Sequence, residues 1–312
     1  MKIRFLLIGL LLPLIIFFSC SNKRRSRTNI ENPIILVSGY GSKVTVWENT
    51  GFVDFLQKQG LVYGGKLVID KNNPNKTKPE ERIRGNIDFF SLAYSDSTSR
   101  VDELSSELKQ AIVYVKRYTN TKKIMLMGYS MGGVVCRDYL VKNNKRHNVE
   151  TLVTIASPHK GSFLANIATV TSGLFVEKAQ DVYIDFMSKQ LGVDIDGDAL
   201  NNLLVEEDEN FLSKLNGSPH PSDINYVSFV GINEMAISIN PYLSRIGFSI
   251  YDGDLVCSRA SQNMENILWF ESNNPKSLTT YEIKGVHHLN VLNQHDKIYL
   301  NISEFIQPIL NE

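Results

Sequence analysis

The stretch KIMLMGYSMGG, residues 123–133, places one serine between glycines directly after a short apolar run. An apolar run of this length predicts a buried strand, and the residues that follow it predict a helix. A Gly-x-Ser-x-Gly turn between a strand and a helix holds the serine in strained geometry, with its hydroxyl exposed at the helix N-terminus. We therefore predict that Ser130 is a nucleophile. The alternative is a serine that only caps a glycine-rich helix start.

The rest of the chain alternates short apolar runs with longer segments of helical spacing. This alternation is typical of an α/β fold, a mostly parallel sheet covered by helices. The predicted strands are 33–37, 66–69, 87–92, 123–127, 149–155, 225–230 and 281–283. The predicted helices are 46–59, 101–118, 131–143 and about 295–310.

The segment from about 163 to 223 interrupts this alternation with helical stretches and acidic loops. An insertion of this kind over the strand ends predicts a helical cap or lid, and its apolar residues favour a lipid substrate. An ordinary helical subdomain with its apolar face in the core is the alternative. Three aspartates, Asp194, Asp196 and Asp198, do not form a calcium loop, because Ala199 and Val205 stand where that loop needs Gly and Glu.

A serine nucleophile needs two backbone N–H groups to hold the oxyanion, one of them usually from the loop after an early strand. The loop Ser38-Gly39-Tyr40-Gly41 follows the first predicted strand. The amides of Tyr40 and Met131 are the predicted donors. A plain strand-to-helix turn is the alternative interpretation of this loop.

The base and the acid should follow the serine in the order acid, then histidine. His287 and His288 follow the last predicted strand, and both remain candidates for the base. Asp252 and Asp254 lie in the turn before it, and one of them would orient the imidazole while the other caps the turn. Two adjacent histidines without further ligands nearby make a poor zinc site.

With these motifs the chain resembles an α/β-hydrolase of the bacterial triacylglycerol lipase and esterase group. The segment 33–41 is similar to the family's oxyanion loop, with Ser38 where relatives have histidine, and the segment 154–162 is similar to the stretch after the next strand. The resemblance implies that His159 is structural. His288-Leu289-Asn290 is similar to the family's "HLD" ending, which favours His288, while Asn290 weakens a calcium site. Counting seven positions back from Ser261 favours Asp254 slightly, although the Asp-Gly pair of the family is here Asp252-Gly253.

The resemblance implies a serine hydrolase that cleaves carboxylic esters, acyl-lipid esters above all, without a cofactor or a metal. A thioesterase or acyltransferase with the same triad is the alternative enzyme. A non-catalytic lipid-binding protein on a hydrolase scaffold is the alternative outside enzymes, and Ser38 is the feature that favours it.

The charge balance argues against a nucleic-acid partner, and the N-terminal segment indicates an exported chain. Lys plus Arg and Asp plus Glu both total 33, whereas nucleic-acid ligands are usually basic. The basic start, the apolar run 5–18 and Cys20 resemble a bacterial lipoprotein signal. We therefore expect residues 1–20 to be a signal peptide with Cys20 lipidated, 21–32 a tether and 33–312 the α/β-hydrolase domain with its cap insertion. An ordinary signal peptide or an uncleaved anchor is the alternative for the first segment. The expected location is the cell envelope, and the oligomeric state stays open.

Overall fold

The computed structural model describes residues 26–41, 45–73, 76–81, 84–162, 165, 198–234 and 252–309. Within this part, eight strands form one sheet in the order β3-β2-β4-β1-β5-β6-β7-β8. The neighbouring strands pair in parallel except β2 and β3. The strands are β1 Ile34–Val37, β2 Tyr63–Val68, β3 Lys78–Pro79, β4 Phe89–Ala93, β5 Ile124–Tyr129, β6 Val149–Ile155, β7 Asn225–Ile232 and β8 Ser277–Lys284. The predicted α/β class is confirmed.

Helices cover both faces of the sheet, so the central strands β4, β1, β5, β6 and β7 are buried on both sides. The α-helices of the described residues are α1 Val46–Asn49, α2 Phe52–Lys58, α3 Val101–Thr119, α4 Met131–Lys142, α5 Asp198–Asn202, α6 Phe211–Gly217, α7 Arg259–Gln262, α8 Leu268–Ser272 and α9 His295–Ile302. Alternate residues of β1 enter two separate cores. Ile35 and Val37 pack with α3 and α4, and Ile34 and Leu36 pack with α1, α2 and α9.

Two predicted helices are wrong in their extent. The helix predicted over 46–59 divides into α1 and α2 at Gly51, whose φ of 75° is left-handed. The C-terminal helix ends at Ile302 rather than near 310. A helix does not continue through Pro308, because proline lacks an N–H and moves the preceding residue out of the helical region. Pro308 instead forms an isolated antiparallel bridge with Ile30. The short edge strand β3 was not predicted, since it is polar and contains proline.

The predicted cap is described only in part. Ala165 and residues 198–223 belong to the described chain, whereas 163–164 and 166–197 lie outside it. The described part contains α5 and α6. Buried leucines within these helices, and one directly after α5, join the core on the side of α3. These leucines are Leu200, Leu203, Leu212 and Leu215.

The predicted signal peptide with Cys20 and most of the tether precede Ser26 and lie outside the described residues. Among the helices that are described, none has the length and apolar character needed to cross a membrane. Cys136 and Cys257 are both buried free thiols.

Candidate active site

Ser130 lies on the turn between β5 and α4 and has an unusual backbone conformation. Its φ is 53° and its ψ is −131°, a region that non-glycine residues enter at a cost of roughly 1–3 kcal/mol. The surrounding backbone holds it there. The Ser130 amide donates to the Ile155 carbonyl at 2.9 Å, and the Gly133 amide donates to the Ser130 carbonyl at 3.0 Å. The strain predicted from the glycine pattern is present at this residue.

The glycines around Ser130 are needed because backbone segments approach each other closely. A Cβ added to Gly132 would lie 2.4 Å from the Val37 carbonyl oxygen, and one added to Gly128 would lie 2.5 Å from the Cα of Gly133. Both contacts are with backbone, which cannot rotate away. Any side chain at these positions would therefore separate α4 from the strands that support it.

The loop after β1 lies against Ser130. A Cβ on Gly39 would lie 2.7 Å from Ser130 Cβ and 3.1 Å from its Oγ, so this glycine lets the loop reach the serine. Tyr40 follows in the same loop, and Met131 is the first residue of α4, where the helix itself supplies no acceptor for the amide. The structure thus brings both predicted oxyanion residues next to Ser130. The Ser38 hydroxyl is buried and has no hydrogen-bond partner among the residues described.

His288 links the serine to an acid. It follows β8 and is buried, with its Nε2 2.8 Å from Ser130 Oγ and its Nδ1 2.7 Å from Asp254 Oδ2. This arrangement lets the serine hydroxyl donate to Nε2 while Nδ1–H donates to the carboxylate. His287, the other predicted base, is partly exposed, and its amide donates to the Asn290 side chain at 2.8 Å.

Asp254 and Asp252 have different surroundings. Asp254 is fully buried, and its Oδ1 accepts from the amides of Val256 and Cys257 at 3.0 and 2.8 Å. Its backbone carbonyl also accepts from the His288 amide at 2.9 Å. The Asp252 side chain is 47% exposed and lies 3.8 Å from the Arg259 guanidinium. The structure therefore brings Asp254 to His288 and leaves Asp252 at the surface.

Two residues that support this site were not found from the sequence. The Tyr129 hydroxyl donates to the His288 carbonyl at 2.8 Å, and its ring centroid lies 5.4 Å from that of the imidazole. Burial raises the pKa of Tyr129, and the charge of Asp254 adds to this effect, so the hydroxyl keeps its proton. The sequence signal that could have indicated this role is the position of Tyr129 directly before Ser130.

The second supporting residue, Gln262, is fully buried and joins the acid turn to the end of β7. Its amide nitrogen donates to the carbonyls of Gly231 and Cys257, and its oxygen accepts from the Gly231 amide at 2.7 Å. No feature of the sequence around Gln262 indicates this role.

Asp254, Cys257 and His288 place three potential metal ligands within 4.8 Å of one another. The carboxylate and the imidazole are already hydrogen-bonded to each other. Burial, followed by the charge of Asp254, raises the pKa of the Cys257 thiol well above its usual value, which disfavours the thiolate that binds metals. The three groups fit a hydrogen-bonded acid and base better than a metal centre.

Arg137 is a residue of α4, the helix that follows Ser130, and its side chain is fully buried among neutral partners. Its guanidinium donates to Asn216 Oδ1 at 2.8 Å and to His220 Nε2 at 3.1 Å, and lies 3.4 Å from His159 Nδ1. Burial lowers the pKa of Arg137 to about 9, which leaves it charged at neutral pH. His159 is therefore a core residue beside α4, away from the hydrogen bonds of Ser130.

The same surroundings make stability dependent on pH. Burial, and then the Arg137 charge, lower the pKa of His220 to about 2 and lower that of His159 well below its usual value. Below pH 6.5 these two histidines bind protons in the unfolded chain but stay neutral in the folded one. The free energy of unfolding therefore falls as the pH falls. We expect the free energy of unfolding in urea to drop between pH 7 and pH 5, by about 2 kcal/mol from His220 and by a further amount in the same direction from His159.

The matched variant for this pH dependence is His220→Gln, whose amide oxygen can still accept from Arg137. It should make the drop smaller by about 2 kcal/mol, because the proton that His220 takes up in the unfolded chain is removed from the linkage. An unchanged slope in the variant would show that His220 does not carry the effect.

Comparison with known proteins places the chain in a family. A family model described as the PGAP1-like alpha/beta domain matches residues 32–205, more than half of the 312 residues. The GPI inositol-deacylase of Candida albicans (strain SC5314 / ATCC MYA-2876) is 33% identical over 97 residues. That match covers 29% of this chain and 25% of the relative, so the chain spans about a quarter of that relative's length.

Solved bacterial structures share the fold. The mature form of the Bacillus licheniformis lipase BlEst2 superposes with a TM-score of 0.58 at 16% identity, covering 89% of this chain and 93% of that one. The product of gene lin2722 from Listeria innocua gives 0.57 at 14% identity, covering 88% and 95%. These likenesses confirm the predicted α/β-hydrolase fold. The family match includes Ser130 and ends before Asp254 and His288. On this match, the chain belongs to the family of the PGAP1-like alpha/beta domain.

Proposed function

We propose that this protein is a serine hydrolase of carboxylic esters in which Ser130, His288 and Asp254 form the catalytic triad. The observation that carries the proposal is the continuous hydrogen-bonded chain, 2.8 Å from Ser130 Oγ to His288 and 2.7 Å from His288 to Asp254. It begins at a serine held in strained geometry beside a glycine loop. These are the features that an activated serine nucleophile requires.

The reaction follows from the positions of these atoms. Ser130 Oγ forms a bond to the ester carbonyl carbon as its proton moves to His288 Nε2. The amides of Met131 and Tyr40 stabilise the oxyanion, and losing one such donor costs about 10²- to 10³-fold in rate. The carbon–oxygen bond to the alcohol then breaks, and His288 gives its proton to the leaving oxygen. Water, deprotonated by His288, then bonds to the acyl carbon, the bond from that carbon to Ser130 Oγ breaks, and His288 returns the proton to Oγ as the acid leaves.

Asp254 and Tyr129 would keep His288 in place during both steps. The buried carboxylate fixes the proton on Nδ1 and stabilises the imidazolium that forms when Nε2 takes the serine proton. The Tyr129 hydroxyl holds the backbone of the histidine loop, so the ring stays over the serine. Neither role requires a change in the conformation described above.

The substrate we propose is an acyl ester of a lipid. The name of the Candida relative, GPI inositol-deacylase, supports an acyl group carried by a polyol hydroxyl. The name of BlEst2, a lipase, agrees with an acyl-lipid ester, although that likeness establishes the fold alone. The cap predicted from the sequence is rich in apolar residues, which agrees with a lipid substrate, and most of it lies outside the described residues.

We test the substrate class with a series of esters of increasing acyl length, measured below and above the critical micelle concentration. The expected result is a rise of kcat/KM with chain length and a further rise with micelles. An acylated inositol lipid should be cleaved, and Ser130→Ala serves as the blank. A preference for acetyl and butyryl esters with no gain from micelles would instead indicate an esterase of small molecules.

We further propose that the chain is exported and held in the cell envelope by lipidation of Cys20. The support is the sequence alone: a basic start, an apolar run and a cysteine, followed by a basic tether. Incorporation of a fatty-acid label into the wild type and its loss in Cys20→Ser is the expected result. Equal labelling of both proteins would exclude this anchor.

A further inference from the structure

An open cavity of about 1280 Å³ lies at the edge of the domain that is remote from Ser130. We call this cavity the basic pocket, because its lining includes four cationic residues as well as two tyrosines. These are Arg27, Lys78, Arg84, Arg117, Tyr114 and Tyr118. The nucleophile lies at the C-terminal end of β5, whereas Tyr114 and Arg117 lie near the end of α3. Since α3 connects two parallel strands, its end lies at the opposite, N-terminal edge of the sheet.

The cations of the basic pocket are available to a ligand. None of the four has a carboxylate within salt-bridge distance in the part of the chain described. Glu80 and Glu81 also line the cavity, and Glu80 Oε2 lies 3.8 Å from the Nζ of Lys66. Four cations against two carboxylates leave a positive excess, so the pocket favours an anion.

The tyrosines add an apolar surface with polar ends. Tyr114 and Tyr118 stack with ring centroids 6.1 Å apart, and the Arg27 guanidinium lies 5.6 Å from the centre of the Tyr118 ring. Tyrosine is enriched where protein meets the headgroup level of a membrane. The pocket thus combines the two residue classes that a lipid surface attracts.

The N-terminal segment joins the domain at this pocket. The Arg27 amide donates to the Thr119 carbonyl at 2.9 Å, and the Arg27 carbonyl accepts from the Ile87 amide at 2.8 Å. Twenty-five residues precede Ser26, and their sequence includes the apolar run 5–18 and the basic residues 23–25. Cys20 is seven positions before Arg27, so extended chain would span at most about 24 Å between them. An anchor of any kind in that segment keeps the basic pocket near the surface it holds.

We propose that the basic pocket binds the phosphate headgroup of an anionic lipid on the surface that holds the N-terminal segment. Cations near an anionic surface add to the attachment that an anchor in the N-terminal segment supplies. Each Lys or Arg near an anionic surface contributes about 1 kcal/mol.

The test is co-sedimentation of the full-length chain with vesicles of phosphatidylcholine alone or with added phosphatidylglycerol. The variant is Arg84→Gln with Arg117→Gln, and the matched control is Lys214→Gln with Lys297→Gln, two exposed cations outside the pocket. We expect the pocket variant to bind phosphatidylglycerol vesicles about thirtyfold less tightly. Binding to phosphatidylcholine should not change, and the control should match the wild type.

Three results would overturn the proposal. One is an equal loss of binding to phosphatidylglycerol vesicles in the pocket variant and the control variant, which would indicate an effect of net charge only. Another is the absence of any preference for phosphatidylglycerol in the wild type. The last is release from the vesicles by millimolar inorganic phosphate at constant ionic strength, which would assign the pocket to a soluble anion. Turnover of a short-chain ester, measured in parallel, should be the same in all variants, so failure here is distinguishable from failure of the proposed triad.

Discussion

Ser130→Ala is expected to lower kcat for a nitrophenyl ester by about 10⁴- to 10⁶-fold, the range seen when a triad serine is removed. The mechanism forms a covalent bond to Ser130 Oγ, which is the hydroxyl that contacts Nε2 of His288 in the described part of the chain. Residual hydrolysis would come from the oxyanion amides and from binding. The measurement is steady-state turnover with the variant and the wild type at equal concentration.

The fold of Ser130→Ala should be retained. Alanine keeps the positive φ at this turn, and the Ser130 side chain does not cap α4. We expect a melting temperature close to that of the wild type, which separates loss of chemistry from loss of structure. Hydrolysis at the wild-type rate in a folded Ser130→Ala protein would exclude Ser130 as the nucleophile.

Asp254→Asn is expected to lower kcat by about 10⁴-fold. An asparagine can present an N–H to His288 Nδ1, which would favour the wrong tautomer and leave Nε2 unable to accept the serine proton. It also removes the negative charge that stabilises the imidazolium. The carboxylate accepts two backbone amides, and the asparagine oxygen can keep these contacts, so the acid turn should persist.

Asp252→Asn is the matched control, since both residues are aspartates of the same turn. The Asp252 side chain is half exposed and lies near Arg259 instead of His288, so its loss should change kcat by less than about threefold. The pair of variants settles the choice that the sequence left open. A large loss in Asp252→Asn with a small one in Asp254→Asn would reverse the assignment.

The sequence predicted the central part of the fold well, because the apolar runs and the glycine turn are local signals. β6 has the predicted bounds, and Ser130 has the predicted strained turn. The edge of the sheet and the C-terminal end of the chain were harder to predict. β3 is a polar edge strand, and the chain after Ile302 is held by contacts with residues near 30, which no local pattern indicates.

The choice between Asp252 and Asp254 could not be made from sequence, because it depends on a turn that reverses the chain. Leu255 has a φ of 78°, and this conformation lets the amides after it bind the Asp254 carboxylate. An Asp-Gly pair normally marks the residue that caps a turn, and here Asp252 precedes the glycine. Tyr129 illustrates the same limit, since its hydroxyl binds a carbonyl 159 positions away.

The comparisons and the geometry describe different parts of the chain. The family match covers residues 32–205 and so includes the serine and the glycine loop. Asp254 and His288 lie beyond it, and their place beside the serine rests on the distances in this structure. The triad proposal therefore depends on whether the serine is activated by a histidine from outside the matched segment.

Labelling with a fluorophosphonate, followed by mass spectrometry of the peptides, tests that dependence most directly. The proposed triad predicts one adduct on the peptide that contains Ser130, formed rapidly in the wild type and at least a hundredfold more slowly in His288→Ala. A wild-type protein that is not labelled at Ser130, or a His288→Ala protein labelled at the same rate, would contradict it.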